Sequence, residues 1–213
     1  MTKVMIIGAN GAMARILTAR LLAETSATLV LYLRNAARLS QYADNARVTV
    51  VDGDVSDTAK LAATMADVDI VYSNVGGAAL DQQTQSIVTA MKQAEKQRFI
   101  YISSLGAYDE VPGKFGEWNN QMIGAYMGTY RKMGELVAAS GLTYTEIRPA
   151  WLTDNDEVTY EVTTLAEGFK GTEVSRQSVA DFAFKVIQDP STYQNVSVGL
   201  DKPGTDGDKP SWY

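Results

Sequence analysis

Short apolar runs alternate with segments of helical spacing along the first 150 residues of the chain, and this alternation constrains the fold more than any other feature. After Lys3, VMIIGA is a continuous apolar run of the kind found in a strand buried on both faces. From Gly11 to Glu24, Met13, Ile16, Leu17 and Leu21 recur at helical spacing. TLVLYLR (28–34) and RVTVVDGD (47–54) then read as strands, with AARLSQYA as a short helix between them. DTAKLAATMA predicts a helix, DIVYSNVG (69–76) a strand, and the segment from Leu80 to Lys96, with Ile87, Met91 and Ala94 on one side, a second amphipathic helix. RFIYISS (98–104) and LTYTEIRPA (142–150) are further strands, separated by a helix from about Gln121 to Ser140. Such alternation with short connections predicts right-handed crossovers and an α/β fold with a doubly wound parallel sheet.

Beyond Trp151 the rhythm loosens. VTYEVTTL (158–165) reads as a strand or hairpin, SVADFAFKVIQD (178–189) as a helix capped by Ser178, NVSVGL (195–200) as a last strand, and DKPGTDGDKPSWY as a polar, turn-rich tail. No repeat and no long linker divides the chain. The expectation is one domain over residues 1–213, in which about 151–213 form a smaller substrate-side region and tail.

Composition removes several chemistries. The chain has no cysteine and no histidine, so a disulfide framework, a thiolate site and a cysteine nucleophile are excluded, and a zinc centre is disfavoured. A net charge of -6 repels nucleic acid phosphates. The N-terminal apolar stretch is too short and too broken for a signal peptide, and no segment has the apolar length of a membrane span. The chain reads as cytoplasmic, with no nucleic acid or membrane partner.

The turn Gly8-Ala9-Asn10-Gly11 joins the first strand to the first helix and leaves backbone N–H groups and a positive helix end at the sheet's carboxyl edge. Glycine at 8 and 11 lets a pyrophosphate approach, and a small residue at 14 allows close helix packing. The spacing is G-x-x-G-x-x-A, so the glycines alone also admit a reading as a mere tight βα turn. Arg34 ends the second strand where an acid would hold the ribose of NAD; an arginine pairs instead with the 2′-phosphate of NADP, with Arg38 one turn on, although a strand-end arginine is also an ordinary surface residue. Asp54, with Val55 beside it, is placed to accept from an adenine amino group or, alternatively, to cap the next helix, as Ser56 also could. Asn74-Val75-Gly76-Gly77 adds a small-residue turn on the same edge.

Taken together, GANGAMA, YLRN, DGDV, NVGG, YISSLGAY, KMGELVAASGLTYTEIRPAWL and SRQSVADF resemble, in order, the atypical short-chain dehydrogenase/reductases with an NAD(P)H-binding domain, including NmrA-like and flavin- or quinone-reductase-like members. The resemblance implies a Rossmann-like fold. It implies that Gly8, Asn10, Gly11, Ala12 and Met13 meet the pyrophosphate, Arg34 the 2′-phosphate, Asp54 and Val55 the adenine, and Asn74, Val75 and Gly76 the ribose. It further implies that Ser103 and Ser104 lie near the nicotinamide, Lys132 at its ribose, and Pro149 beside its pocket. The chain departs from the family's Tyr-x-x-x-Lys pair, because Gly128 stands four residues before Lys132. Tyr130 is two residues from Lys132, on nearly the opposite side of the helix. Tyr108 is a substitute from the loop or an aromatic that covers it. VPGKFGEWNNQMIGAY falls where a substrate loop is expected, with Phe115 and Trp118 as pocket lining or as anchors.

The resulting expectation is an NADP(H)-dependent reductase, NADP favoured over NAD, that passes hydride to a small planar acceptor such as a flavin or quinone through the space left by Gly128. Ser103, Ser104 and Lys132 would be its polar contacts, and the protein a monomer or homodimer. The alternative is a non-catalytic NAD(P)-binding sensor of the NmrA-like type. A sugar-nucleotide epimerase fits less well, because the region after Ala150 is short and polar.

Overall fold

The computed structural model describes all 213 residues. Its elements are β1 (Lys3–Ile7), α1 (Ala12–Glu24), β2 (Thr28–Leu33), a 3-10 segment (Ala36–Tyr42), β3 (Val48–Asp52), α2 (Thr58–Thr64), β4 (Ile70–Ser73), α3 (Leu80–Gln93), β5 (Arg98–Ile102), α4 (Gly113–Ala138), β6 (Thr143–Pro149), β7 (Trp151–Thr153), β8 (Glu161–Thr164), β9 (Glu173–Ser175), α5 (Arg176–Gln188) and β10 (Val196–Asp201). The main sheet runs β3-β2-β1-β4-β5-β6-β10-β8. All its pairings are parallel except the last, in which β8 runs antiparallel to β10. β7 and β9 form a separate parallel pair.

Strand alternation divides the core between the two faces. Val4 and Ile6 of β1 pack with Leu29, Leu31, Tyr72, Ile100 and Ile147 against α1 and α5. Met5 and Ile7 point the other way, with Val30, Val71, Phe99 and Tyr101, toward α2, α3 and α4. A helical layer therefore covers each face, as the continuous apolar strands require. No helix is long and apolar enough to cross a membrane.

Three local readings are corrected. The expected substrate loop VPGKFGEWNNQMIGAY is largely the first half of α4, which begins at Gly113. Its glycines and asparagines disfavour a helix locally, but Phe115 and Asn119 are buried and Trp118 stacks on Phe115 and packs at a tilt on Trp151, so tertiary packing holds the turns. The cap of α5 is Ser175, whose side chain accepts from the Ser178 amide; Ser178 is itself buried inside the helix. The cap of α2 is Asp57, accepting from Lys60 N, and is neither Asp54 nor Ser56.

Candidate dinucleotide and acceptor site

The carboxyl ends of β1, β2, β3 and β4 frame a cavity of about 270 Å³. The β1 turn is built by close approach. Gly8 has φ +74°, and a Cβ there would lie 2.9 Å from the Asn74 carbonyl oxygen. At Gly11 a Cβ would fall 2.1 Å from Asn74 Nδ2. A side chain at Gly8 would separate the β1 and β4 turns, whereas one at Gly11 would displace the Asn74 side chain from its place against the turn. Ala12 opens α1 behind Gly11, and no acid stands in the first helical turn to compete for its free amides.

Gly8, Asn10, Gly11, Arg34, Arg38, Asp54, Val55, Asn74, Val75 and Gly76 all line this cavity. Arg34 Nη1 and Asp54 Oδ2 are 3.9 Å apart with side chains 81% and 49% exposed, a water-screened pair that leaves the guanidinium available. Asp54 is held below the usual carboxylate range chiefly by the Ser56 amide and hydroxyl, which donate to Oδ1 at 2.9 and 2.7 Å. With its amide oxygen turned toward Arg38, Asn10 accepts from Arg38 Nε at 3.2 Å and also from Nη2, tying Arg38 to the glycine turn. Tyr32 donates to the Asp54 carbonyl at 2.9 Å, in space that only a glycine at 53 leaves open.

A second cavity, about 460 Å³, continues from the first across Asn74, Val75 and Gly76. Met13, Ser103, Ser104 and Pro149 line it, together with Ile102, Leu105, Ile123, Tyr130, Ala150, Trp151, Leu152, Arg176 and Trp212. Ser104 Oγ donates to the Leu105 carbonyl, whereas Ser103 Oγ, on a residue 5% exposed, has no partner within the chain. An orphaned hydroxyl in a largely apolar cavity is what a ligand amide would satisfy.

The tail folds back over this half. Ser211 donates from its amide (2.8 Å) and hydroxyl (2.9 and 3.0 Å) to the Glu173 carboxylate. That clasp sets Trp212 beside Trp151, ring centroids 6.2 Å apart, and Tyr213 against Trp118 at 4.8 Å. Trp151 is fixed in turn by donating from Nε1 to Asn119 at 2.9 Å. Phe115 and Trp118 thus anchor the wall and do not line the cavity.

Two sequence candidates lie elsewhere. Lys132 is exposed and lines neither cavity, and Gly128 is exposed on the same helical stripe, so the room attributed to Gly128 is not in the crevice. The two-residue offset that turns Lys132 outward turns Tyr130 inward, and burial raises its phenol above the ordinary value. Tyr108 also lines neither cavity. Its hydroxyl donates to Glu146 Oε2 at 2.7 Å beneath Gly134, and burial followed by the Glu146 charge pushes its pKa well up. Sequence reasoning missed Ile123, Tyr130, Trp151, Leu152, Arg176 and Trp212 as cavity residues; only the Ile123–Tyr130 spacing, two helical turns, carried a local signal. In the acidic turn after Thr153, Asp154 pairs with Arg176 and Glu157 with Lys202.

The cradle fits a dinucleotide: glycines whose Cβ positions are occupied, a helix start without acids, and an unpartnered buried hydroxyl at the far end. The profile of the NAD(P)H-binding family matches residues 8–190. A Rossmann-fold NAD(P)-binding family protein from Shigella flexneri is 36% identical, with 99% of this chain and 98% of that one covered and a TM-score of 0.83. A short-chain dehydrogenase/reductase (wide type) from Veillonella parvula, solved in complex with NADP, is 30% identical over 99% of both chains, with a TM-score of 0.92. ChuY, an anaerobillin reductase from Escherichia coli, shares the fold at 21% identity, covering 97% of this chain and all of that one, with a TM-score of 0.84. No curated protein matches the sequence. The fold, the crevice and these likenesses agree, and the chain belongs to the NAD(P)H-binding family of atypical short-chain dehydrogenase/reductase-like proteins.

Proposed function

We propose that the protein is an NADP(H)-dependent reductase that delivers hydride to a small planar acceptor of the flavin or quinone type. The observation that carries this reading is the continuity of the two cavities across Asn74–Gly76, a polar half suited to the nucleotide and an apolar, aromatic-walled half beyond it. In this reading Gly8, Asn10, Gly11 and Ala12 hold the pyrophosphate end, with Met13 beyond them on the acceptor side, Arg34 and Arg38 hold the 2′-phosphate, and Asp54 and Val55 the adenine. Asn74, Val75 and Gly76 carry the ribose across the junction. Ser103, Ser104 and Pro149 border the nicotinamide.

A bound NADPH supplies the hydride. The chain orients the two rings: the Ser103 hydroxyl, lacking an internal partner, hydrogen-bonds the carboxamide or the acceptor carbonyl, and Trp151 and Trp212, packed on each other, offer one aromatic wall to a flat ring. Tyr130, kept protonated by burial, donates a hydrogen bond but does not serve as a base at neutral pH. Residues 151–213 form the acceptor side through Trp151, Leu152, Arg176 and Trp212.

The position of Lys132 favours one second reading. With neither it nor a tyrosine one turn before it in the crevice, the pair used for carbonyl chemistry in the family is missing, which suits a sensor that binds the dinucleotide without turnover. Calorimetric titration with NADPH and NADH, followed by steady-state assays with flavin and quinone panels, separates these readings. NADPH binding with turnover supports the reductase, and binding without turnover on any acceptor supports the sensor. Failure to bind either nucleotide removes both.

A further inference from the structure

Arg176 is the single charged side chain lining the apolar cavity. It is the first residue of α5, directly after the Ser175 cap. Within the chain it makes one hydrogen bond, from Nη1 to Asp154 Oδ1 at 2.8 Å, and the Asp154 side chain is 87% exposed. That pair is screened by water, and the remaining guanidinium N–H groups have no partner in the protein.

A third cavity of about 430 Å³ opens on the other side of the same residues, sharing Leu152, Arg176 and Trp212 with the acceptor half. Its other acid, Glu173, is 6% exposed, and both its oxygens are taken by Ser211. Arg176 therefore stands where the apolar slot meets a polar annex, with one carboxylate facing solvent and the other already engaged.

A neutral ring filling the slot would strip water from the guanidinium and return nothing. A carboxylate or phosphate monoester would accept its free N–H groups in the paired geometry that arginine presents. Resting on the reductase reading of this site, we infer that the acceptor bears an anionic arm, which Arg176 holds while the flat ring lies against the wall that Trp151 and Trp212 form together. The acceptor class is thereby narrowed from planar molecules to planar anions, and Asp154 becomes the competitor that the arm displaces.

The test uses two matched pairs that share a ring and differ in the arm: FMN against riboflavin, and 1,4-naphthoquinone-2-carboxylate against 2-methyl-1,4-naphthoquinone. Each is measured with the NADP-loaded protein for binding and with NADPH for kcat/KM. The expected result is a preference of about tenfold for the anionic member of at least one pair, which also tells phosphate from carboxylate. Arg176→Gln should collapse that ratio to about one, and Asp154→Asn, at an exposed position that does not threaten folding, should raise it. An anionic-to-neutral ratio near one in both pairs, or a ratio that Arg176→Gln leaves unchanged, overturns the inference. Binding that follows the charge and Arg176 without any turnover upholds the anion site while removing the hydride-transfer reading.

Discussion

The Arg148 guanidinium and the Glu110 carboxylate form an ion pair out of reach of water, with side chains 0% and 2% exposed. Glu110 Oε1 also accepts from the Gly106 amide and Oε2 from the Tyr108 amide, both at 2.9 Å, so the pair pins the loop that carries Ser103 and Ser104 away from β5. Arg148 additionally donates from Nε to Ser197 at 2.8 Å and lies over the Phe169 ring. Glu110→Ala leaves a guanidinium that cannot shed its charge, and should cost about 3–5 kcal/mol, or a fall in Tm on the order of 10 °C. Arg148→Met should cost less, because the remaining carboxylate keeps the Gly106 and Tyr108 amide donors and the methionine fills the same buried space. Urea denaturation of both variants checks the order, and the reverse order would contradict this account of the pair.

Tyr108→Phe tests the assignment of that hydroxyl to the core. It leaves the buried Glu146 carboxylate without its donor and should cost about 1–3 kcal/mol. NADPH affinity and acceptor turnover should stay within about twofold, since the ring lines neither cavity. A hundredfold loss of kcat in a stably folded variant would return Tyr108 to the chemistry.

Arg34→Ala should weaken NADPH by about tenfold, the equivalent of ~1.4 kcal/mol, and leave NADH nearly unchanged. Asn10→Ala, which releases Arg38 from the turn, should weaken NADPH less. Calorimetry on both nucleotides reads the difference, and equal losses for NADH and NADPH would remove the 2′-phosphate contact.

Trp212→Ala removes one side of the aromatic wall while leaving the Ser211 clasp in place. The KM for a flat acceptor should rise by about two- to tenfold, with the NADPH Kd unaltered. A change confined to NADPH binding would mean that Trp212 covers the cofactor.

Asp201 provides the pH prediction. It is buried opposite Glu161 in the β8–β10 pairing, and burial, with the Glu161 charge as a further cause, raises its pKa from 3.8 to about 6. Because the folded state binds this proton more tightly than the unfolded chain, the contribution is most favourable below pH 4 and is lost as pH rises through about 6. The slope amounts to ~2 kcal/mol over that window. Asp201→Asn keeps an acceptor for the Lys170 amide and should abolish the slope, making the protein more stable than the parent at pH 8. Urea midpoints at pH 4, 6 and 8 decide it.

The nucleotide half was legible because its determinants are local: two glycines three residues apart, a strand-end arginine, and Asp54 after a third strand. Of the acceptor half only Met13, Ser103, Ser104 and Pro149 were anticipated, through the family resemblance; Tyr130, Trp151, Arg176 and Trp212 join them from separate stretches of chain, and the last three carried no local signal. Lys132 shows the limit from another side. Membership of a helix was readable, but the choice between Lys132 and Tyr130 depended on the helix's rotation against β5 and β6, which packing across the sheet decides. The first half of α4 was hidden for the opposite reason, because Gly113, Gly116 and Gly124 argue locally for a loop and only burial of Phe115 and Asn119 overrules them.

The position of β10 between β6 and β8 also bears on how the protein is made. Both neighbours precede it in sequence, so a growing chain presents the unsatisfied edge of β6, and an Arg148 lacking Ser197, until residues 196–201 have left the ribosome. The nucleotide half can form early, since β1 to β4 and their helices are contiguous. Completion of the acceptor half waits until residues 196–213 have emerged, and that interval is when the nascent chain is most open to edge-to-edge association and to capture by chaperones.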